Sequence, residues 1–229
     1  VGCGTIGGFV AEQLVKSGAA VGALGRLYLY DSDVLKAGNL SGHRLPARFL
    51  GWNEADGLAK LLEDESLHKI SVYARKEDFN ISAETLRAFD IVIDATGRVP
   101  VSLALAGAIR TIQSNPPFLI HGFNYRWGQE SIAFIDNGKA CYGCLGKIHT
   151  AKTEKPNFEI TRYSCGSLYT PYDASVSLIS ASLVVEAALN TLETKLTWTY
   201  TKISRDKTGS QKRLLVKRWS DCSICANGG

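Results

Sequence analysis

Short apolar runs alternate with stretches of helical periodicity through the first half of the chain. Four runs have the length and the aliphatic or aromatic content of buried strands: 27–30, 70–74, 91–93 and 118–120. The stretches between them repeat apolar residues every three or four positions, which predicts helices after Gly7, at 54–62 and at 99–112. This alternation predicts an α/β fold with a mostly parallel sheet covered by helices on both faces.

The second half of the chain follows a different pattern. Residues 129–135 alternate as a strand does, and 174–192 carry the buried stripe of a long helix. Residues 196–204 and 213–219 predict a C-terminal antiparallel hairpin. The stretch 146–171 has no periodicity, so we expect a long crossover loop of the kind that is usually functional.

The composition is that of a globular protein, with 229 residues of which 45% are hydrophobic and 21% charged. We expect a single domain over 1–229. The formal net charge of +4 is too small to indicate a nucleic-acid partner, and no uninterrupted apolar run is long enough to predict a membrane span. Nothing resembles a secretory leader, so we expect the protein in the cytoplasm.

The start of the chain is unusual. It opens at Val1-Gly2, where a strand should already be running into a turn, and it contains no Met. We therefore expect a piece of a longer protein whose first strand precedes residue 1.

The opening motif is Gly2-x-Gly4-x-x-Gly7, placed where a strand meets a helix. This pattern is typical of Rossmann-like, doubly wound sheets, because its glycines let the backbone approach a pyrophosphate at the helix N-terminus. Asp31 ends the next strand, where a carboxylate can bind ribose hydroxyls. Taken alone, the pattern fits NAD as well as ATP, and a glycine turn used only for tight packing is the alternative.

Four of the six cysteines form two C-x-x-C pairs, Cys141 with Cys144 and Cys222 with Cys225. In a chain without a secretory signal, such pairs indicate a metal site rather than a disulfide framework. Four thiolates suit tetrahedral Zn²⁺ with no open position, so we expect a structural site. Two separate pairs without metal are the alternative, and Cys3 is expected to be a packing residue.

The motifs after the glycine turn are more specific. Asp31-Ser32-Asp33-Val34 precedes Asn39-Leu40, and the strand at 91–93 runs into Asp94-Ala95-Thr96-Gly97. Together with the C-x-x-C pairs, these motifs resemble the ThiF/MoeB and ubiquitin-activating-enzyme adenylation domain over nearly the whole chain, its bacterial members most of all. The resemblance implies ATP and Mg²⁺ as cofactors beside structural Zn²⁺. It also implies a homodimer that activates a ubiquitin-like or sulfur-carrier protein.

The resemblance implies residue roles as well. The glycine turn would shape the phosphate site, and Asp31, at the end of the strand at 27–30, would hold the ribose. Asn39, Arg44 and Lys60 would face the phosphates. Asp94 would hold Mg²⁺. The complete expected set is Gly2, Gly4, Gly7, Asp31, Asp33, Asn39, Arg44, Lys60 and Asp94.

Three positions depart from the family pattern. The family's arginine falls on Gly42, its lysine on Glu54, and an Asp of the better-known members on Gly97. Adenylation needs cations against the phosphates and a carboxylate for Mg²⁺. Either Arg44, Lys60 and Asp94 take over these roles, or the domain is a degenerate subunit that binds or dimerises without catalysis.

Cys165 stands alone in the long loop, three residues after Arg162. In family members that go beyond adenylation, a thioester-forming cysteine lies in such a loop. The resemblance therefore implies that a Cys165 thiolate captures the acyl group and passes it to a conjugating enzyme. An incidental cysteine is the alternative, and an NAD-dependent oxidoreductase is the less favoured reading of the whole chain. His43, His121 and His149 have no ligand-like spacing and receive no role.

Overall fold

Seven strands and five helices make up the part of the chain that the structure describes. In this computed structural model, that part comprises residues 1–126, 128–149, 174–205 and 209–226. The strands are β1 (Leu27–Tyr30), β2 (Val72–Arg75), β3 (Ile91–Asp94), β4 (Phe118–Tyr125), β5 (Glu130–Asp136), β6 (Tyr200–Ser204) and β7 (Gln211–Leu214). The helices are α1 (Gly7–Lys16), α2 (Glu54–Glu65), α3 (Ala83–Leu86), α4 (Val99–Ile109) and α5 (Ala174–Asn190).

Local sequence explains where most of the helices begin. The Asn53 side chain accepts the Asp56 N–H at the start of α2, and Ser82 caps α3 in the same way. Pro100 lies in the first turn of α4, where a missing N–H breaks no helical hydrogen bond. In contrast, Ile6 at the N-cap of α1 offers no side-chain hydrogen bond, and the first turn of α1 holds no acidic residue. The Gly8 N–H already donates to Gly4 O (3.0 Å), so the N–H groups that can receive an anion are those of the glycine turn just ahead of it.

The strands form two sheets that the start of the chain joins. β1 and β2 pair in parallel, and the larger sheet has the order β3-β4-β5-β6-β7. The Val1 N-terminus donates to Ile93 O (2.7 Å), Val1 O accepts the Ala95 N–H, and Gly2 N–H donates to Tyr30 O. Residues 1 and 2 therefore lie between β1 and β3, so the carboxyl ends of both strands flank the glycine turn.

Helices cover both faces of the larger sheet. On one face, α1 and α5 pack against Ile120 and Ile135 of the central strands. On the other face, α3 and α4 pack against Val92 and Leu119, and the segments that carry the C-x-x-C pairs cover the rest. A further apolar cluster lies between α2 and the β1–β2 pair. The predicted α/β fold class is confirmed.

Antiparallel pairing is more extensive than the sequence predicted. Only β3 and β4 are parallel in the larger sheet, and antiparallel pairing begins at β4 and β5 rather than at a C-terminal hairpin. The apolar run of β4 stops at Ile120, but the polar and small residues that follow have tertiary partners. His121 Nδ1 lies 2.9 Å from Asp94 Oδ2, and a Cβ at Gly122 would lie 2.3 Å from Val184 Cγ2. The strand therefore continues to Tyr125.

Cys165 and most of the predicted crossover loop lie outside the described residues. Within the described ranges, no helix combines the length and the apolar character needed to cross a membrane.

Candidate nucleotide cleft and four-cysteine cluster

The glycine turn forms one wall of an open cleft. A Cβ at Gly7 would lie 1.8 Å from Gly2 O, and Gly2 itself has a φ of +84° with the Thr96 backbone N 3.0 Å from where its Cβ would be. Glycine is therefore required at both positions. Gly4 and Thr5 line the cleft just ahead of the uncapped start of α1. Backbone N–H groups arranged in this way can hold a phosphate.

The ends of β1 and β3 supply the other walls. Asp31 accepts the Cys3 N–H at Oδ2 (2.6 Å) and the Asp33 N–H at Oδ1 (2.8 Å), so its carboxylate is fixed beside the glycine turn. Burial raises the pKa of Cys3 to about 12, which suits a packing thiol. Asn39 lies apart from the cleft lining, in a turn where its Oδ1 accepts the Lys36 N–H (3.0 Å). The lining is Val1, Gly2, Gly4, Thr5, Tyr30, Asp31, Ser32, Asp33, Glu54, Asp78, Phe79, Ala95, Thr96 and Arg98.

The three positions that depart from the family pattern all border this cleft. Glu54 is part of the lining, a Cβ at Gly42 would lie 3.3 Å from Thr5 Cγ2, and Gly97 stands between two lining residues. The departures therefore change the charge of the cleft itself. Among the residues that the structure describes, its lining carries four carboxylates and one guanidinium, namely Asp31, Asp33, Glu54, Asp78 and Arg98.

The two cations that were expected to replace the missing ones do not line the cleft. Arg44 Nε donates to Glu12 Oε2 (2.6 Å), and the same guanidinium also pairs with Glu65. Lys60 is exposed on α2 and pairs with Asp64 one turn later. Both side chains are thus held in ion pairs on α1 and α2, and the structure does not bring them to the predicted phosphate position.

Asp94 is buried at the end of β3 and does not open into the cleft. Its Oδ1 accepts the Thr96 N–H (3.1 Å) and hydroxyl (2.7 Å), while its Oδ2 accepts the Ser102 hydroxyl (2.5 Å) and lies beside His121 Nδ1. Burial opposes ionisation, but His121 and the two hydroxyls outweigh it and lower the pKa of Asp94 to about 2. Because each Asp94 oxygen already has two protein contacts and the side chain lies outside the cleft lining, this geometry does not support the predicted Mg²⁺ contact. The carboxylates of the lining are the oxygen ligands within reach of the cleft.

The four paired cysteines meet in one buried cluster, as the sequence predicted. The Cys141 and Cys144 Sγ atoms are 3.9 Å apart, and each lies 3.4 Å from a sulfur of the second pair, Cys222 or Cys225. All four sulfurs lie within 4.8 Å of one another. A tetrahedral Zn²⁺ with Zn–S bonds of about 2.3 Å needs sulfurs roughly 3.8 Å apart, so this donor set fits zinc.

The surroundings of the cluster favour thiolates at one position. Burial opposes ionisation of Cys222, but the N–H groups of Cys225 and Ile224 outweigh it and lower the pKa of Cys222 to about 7. The Trp219 N–H points at Cys144 Sγ (3.5 Å), in the manner of groups that orient metal ligands.

Three residues of these sites were not predicted from the sequence. Arg98 is the one guanidinium that the described part of the chain contributes to the cleft lining, and its position directly after the Asp94–Gly97 motif was the available signal. His43 accepts the Leu45 N–H at Nδ1 (3.1 Å), which leaves Nε2 3.2 Å from Glu54 Oε2 behind the cleft wall. His121 is the partner of Asp94, and no local pattern marks it.

This fold and these sites define the protein as a nucleotide-binding α/β domain with a buried four-cysteine cluster. Comparison with known proteins agrees with that class. The sequence model of the ThiF family matches residues 1–224, and the chain belongs to this family.

Relatives at 40% identity or more carry one name. The chain is 41% identical over 236 residues to the ATP-dependent ubiquitin transferase-like protein Cap2 of Vibrio cholerae, and 40% identical over 238 residues to that of Escherichia coli. The matches cover 98% of this chain but only 40% of each relative. The adenylyltransferase and sulfurtransferase MOCS3 of Dictyostelium discoideum is 27% identical over 84% of this chain and 43% of its own.

Solved structures of E. coli MccB share the fold. The structure of MccB with ATP superposes with a TM-score of 0.68 at 18% identity and covers 99% of this chain and 66% of MccB. The structure with AMPCPP and the MccA peptide gives a TM-score of 0.70 at the same identity. Likeness at this identity establishes the architecture alone.

Proposed function

We propose that this chain binds ATP in the cleft and adenylates the C-terminal carboxylate of a ubiquitin-like or sulfur-carrier protein. The observation that carries the proposal is the uncapped start of α1, whose glycine turn opens onto the fixed carboxylate of Asp31. Family membership supports it, as do relatives named ubiquitin transferase-like and adenylyltransferase.

The chemistry follows from the groups that line the cleft. An oxygen of the carrier's terminal carboxylate attacks the α-phosphorus of ATP, and the bond from that phosphorus to the bridging oxygen breaks to release pyrophosphate. The turn N–H groups and Arg98 offset phosphate charge, while Asp31 accepts from the ribose hydroxyls. Asp33, Glu54 and Asp78 are the side chains that would hold Mg²⁺, which would neutralise further phosphate charge when bound.

Nucleotide binding and carrier-dependent exchange test this proposal in two stages. Calorimetry with ATP·Mg²⁺ and with NAD is expected to show binding of ATP only. Asp31→Ala is expected to weaken ATP binding, whereas Asp90→Ala, which removes an exposed carboxylate outside the lining, serves as the matched control. Pyrophosphate–ATP exchange is then measured with candidate carrier proteins. Absence of exchange with every carrier, while ATP still binds, contradicts the adenylation step.

A subunit that binds without catalysis is the second candidate, and the charge of the cleft favours it. The described lining, with four carboxylates and one guanidinium, is a poor match for a triphosphate, and Gly42, Glu54 and Gly97 stand where the family resemblance implied charged groups. Glu54→Lys separates the two candidates, with Glu63→Lys on the exposed side of the same helix as the control. Exchange that appears only in Glu54→Lys supports the degenerate subunit, and exchange by the unaltered chain supports the enzyme.

We further propose that Cys165 takes the acyl group in a second step. A Cys165 thiolate attacks the acyl carbon, so that a C–S bond forms, the C–O bond to AMP breaks, and AMP leaves. The thioester would then pass to a conjugating enzyme. A non-reducing gel after incubation with carrier and ATP is expected to show a thiol-sensitive adduct. Cys165→Ser is expected to abolish it without lowering exchange, whereas Cys3→Ser retains it.

We also propose that the chain works as a homodimer. Light scattering of the purified protein is expected to give twice the mass of the chain, and a single-chain mass contradicts this assignment.

A further inference from the structure

One buried network connects the nucleotide cleft with the four-cysteine cluster. Asp94 stands directly opposite His121 in the parallel register of β3 and β4, so both side chains point to the same face of the sheet. The His121 Nδ1 lies 2.9 Å from Asp94 Oδ2, and the side chains are 0% and 2% exposed, respectively. A contact this well shielded from water is stronger than the same pair at the surface.

On the cleft side, the Asp94 carboxylate holds the turn that follows β3. Its Oδ1 accepts both the N–H and the hydroxyl of Thr96, and Thr96 Oγ1 in turn accepts the Arg98 N–H (3.2 Å). Thr96 and Arg98 both line the cleft, and the Thr96 backbone lies against Gly2 of the glycine turn. The orientation of Asp94 therefore decides where this wall of the cleft lies.

On the cluster side, the imidazole of His121 packs against Tyr142, the residue between Cys141 and Gly143 in the first C-x-x-C pair. The two ring centroids are 4.9 Å apart, and the Phe134 ring stacks on His121 with a centroid distance of 6.1 Å. The buried Nε2 of His121 has no hydrogen-bond partner among the residues that the structure describes. The polar contact of the ring is thus made by its Nδ1 edge, toward Asp94.

We propose that His121 is a positioning residue for the nucleotide cleft, acting through Asp94 on the Thr96 turn. Tyr142 links the position of that turn to the four-cysteine cluster. The proposal rests on the proposed function only for the identity of the nucleotide as ATP. Its physical basis is the donor at Nδ1, because a buried carboxylate that loses a donor rearranges to satisfy the freed oxygen.

Three variants separate hydrogen bonding from packing. His121→Asn keeps an N–H near the position of Nδ1, whereas His121→Leu fills the space without a donor. His149→Leu is the matched control, because His149 packs against Tyr125 and Tyr200 and is not among the hydrogen-bond partners of Asp94 in the described part of the chain. The readouts are hydrogen exchange at the Thr96 amide and the dissociation constant for ATP.

The expected result is a difference between the two His121 variants. His121→Leu speeds exchange at Thr96 and weakens ATP binding about tenfold, the effect expected of losing one hydrogen bond to a charged group. His121→Asn stays within about threefold of the unaltered protein, and His149→Leu changes neither readout. Tyr142→Leu is expected to speed Thr96 exchange by a smaller factor, and an unchanged rate there removes the link to the cluster.

Other outcomes overturn the proposal. An unchanged rate of hydrogen exchange at Thr96 in folded His121→Leu overturns it. Equal effects of His121→Asn and His121→Leu also overturn it, because the bulk of the ring alone would then explain them. If His121→Leu does not fold, Ser102→Ala removes another donor to Asp94 Oδ2 and faces the same criterion. If Thr96 exchange responds as expected but the unaltered chain binds no ATP, the positioning role stands and the proposed function fails.

Discussion

The four-cysteine cluster presents side-chain atoms to its ligand, whereas the nucleotide cleft presents mainly backbone atoms. In the cluster, all functional atoms are side-chain sulfurs, each is buried, and neighbours lie 3.4–3.9 Å apart. In the cleft, the phosphate-facing surface is backbone, shaped by glycines at positions 2 and 7 where no Cβ fits. A closed site of four equal ligands loses its geometry when one ligand changes, whereas a backbone site keeps its shape when the side chains around it change.

This difference explains why the two sites agree with the family pattern to different degrees. The cysteine pairs meet as the family resemblance implied, whereas Gly42, Glu54 and Gly97 are the three positions around the glycine turn that depart from the charges it implied. The glycine turn therefore indicates where a nucleotide binds, and the side chains around it decide whether chemistry follows. The Asp94–His121 contact is the place where the two sites meet.

The largest effect is expected from breaking the cluster. Cys222→Ser leaves three thiolates, and because structural zinc contributes directly to folding, we expect metal loss and a fall of several kcal/mol in the free energy of unfolding. Zinc stoichiometry and thermal melting of the zinc-loaded protein measure this. Cys3→Ser, a buried cysteine outside the cluster, should keep full zinc content. A Cys222→Ser protein that still binds one zinc with unchanged melting would rule out the four-thiolate site.

Acid should reveal the network that joins the two sites. The pKa of Asp94 is lowered from 3.8 to about 2 in the folded protein, so this carboxyl binds fewer protons folded than unfolded near pH 3. Its contribution, about 2 kcal/mol, is fully present above about pH 4 and is lost as the pH falls through about 2. Asp94→Asn should therefore flatten the acid limb of the free energy of unfolding, measured by urea titration. Asp90→Asn, an exposed control, should leave that limb unchanged.

Arg98, the one guanidinium among the described residues of the cleft lining, tests whether phosphate binds in the cleft. The Arg98 side chain is largely exposed, and its Nη2 lies 3.9 Å from Asp33 Oδ2. Because this ion pair is long and exposed, the guanidinium can turn toward a phosphate. We expect Arg98→Ala to weaken ATP binding about fivefold, on the order of 1 kcal/mol, measured by calorimetry. Arg87→Ala, an exposed arginine outside the lining, is the control. Equal affinity in both variants would remove Arg98 from the phosphate site.

The smallest effect is expected at Lys60. Because Lys60 and Asp64 form an exposed pair one helical turn apart, Lys60→Ala should change the free energy of unfolding by about 0.5 kcal/mol or less and leave ATP affinity unchanged. Asp64→Ala is the matched variant from the other side of the pair. A marked loss of exchange activity in Lys60→Ala alone would restore the phosphate role that the sequence predicted for it.

Features that depend on residues close together in the sequence could be predicted from the sequence. The strands at 27–30 and 91–93 were found because their apolar runs are continuous, and the glycine turn because its spacing is local. The four cysteines were paired correctly because each C-x-x-C carries its own short spacing. The strand that begins at Phe118 was predicted too short, because His121 and Gly122 interrupt its apolar run.

The sequence by itself therefore determined the α/β class, the glycine turn and the four-cysteine cluster, since local periodicity and spacing encode them. Only the tertiary structure decided that Arg44 pairs with Glu12, because this depends on how the segment after the acidic motif packs on α1. It likewise decided that Asp94 faces His121, because one residue of difference in the register of β3 and β4 would place the two side chains on opposite faces of the sheet. The absence of Arg44 from the described cleft lining and the position of the Thr96 turn at its wall are consequences of that packing.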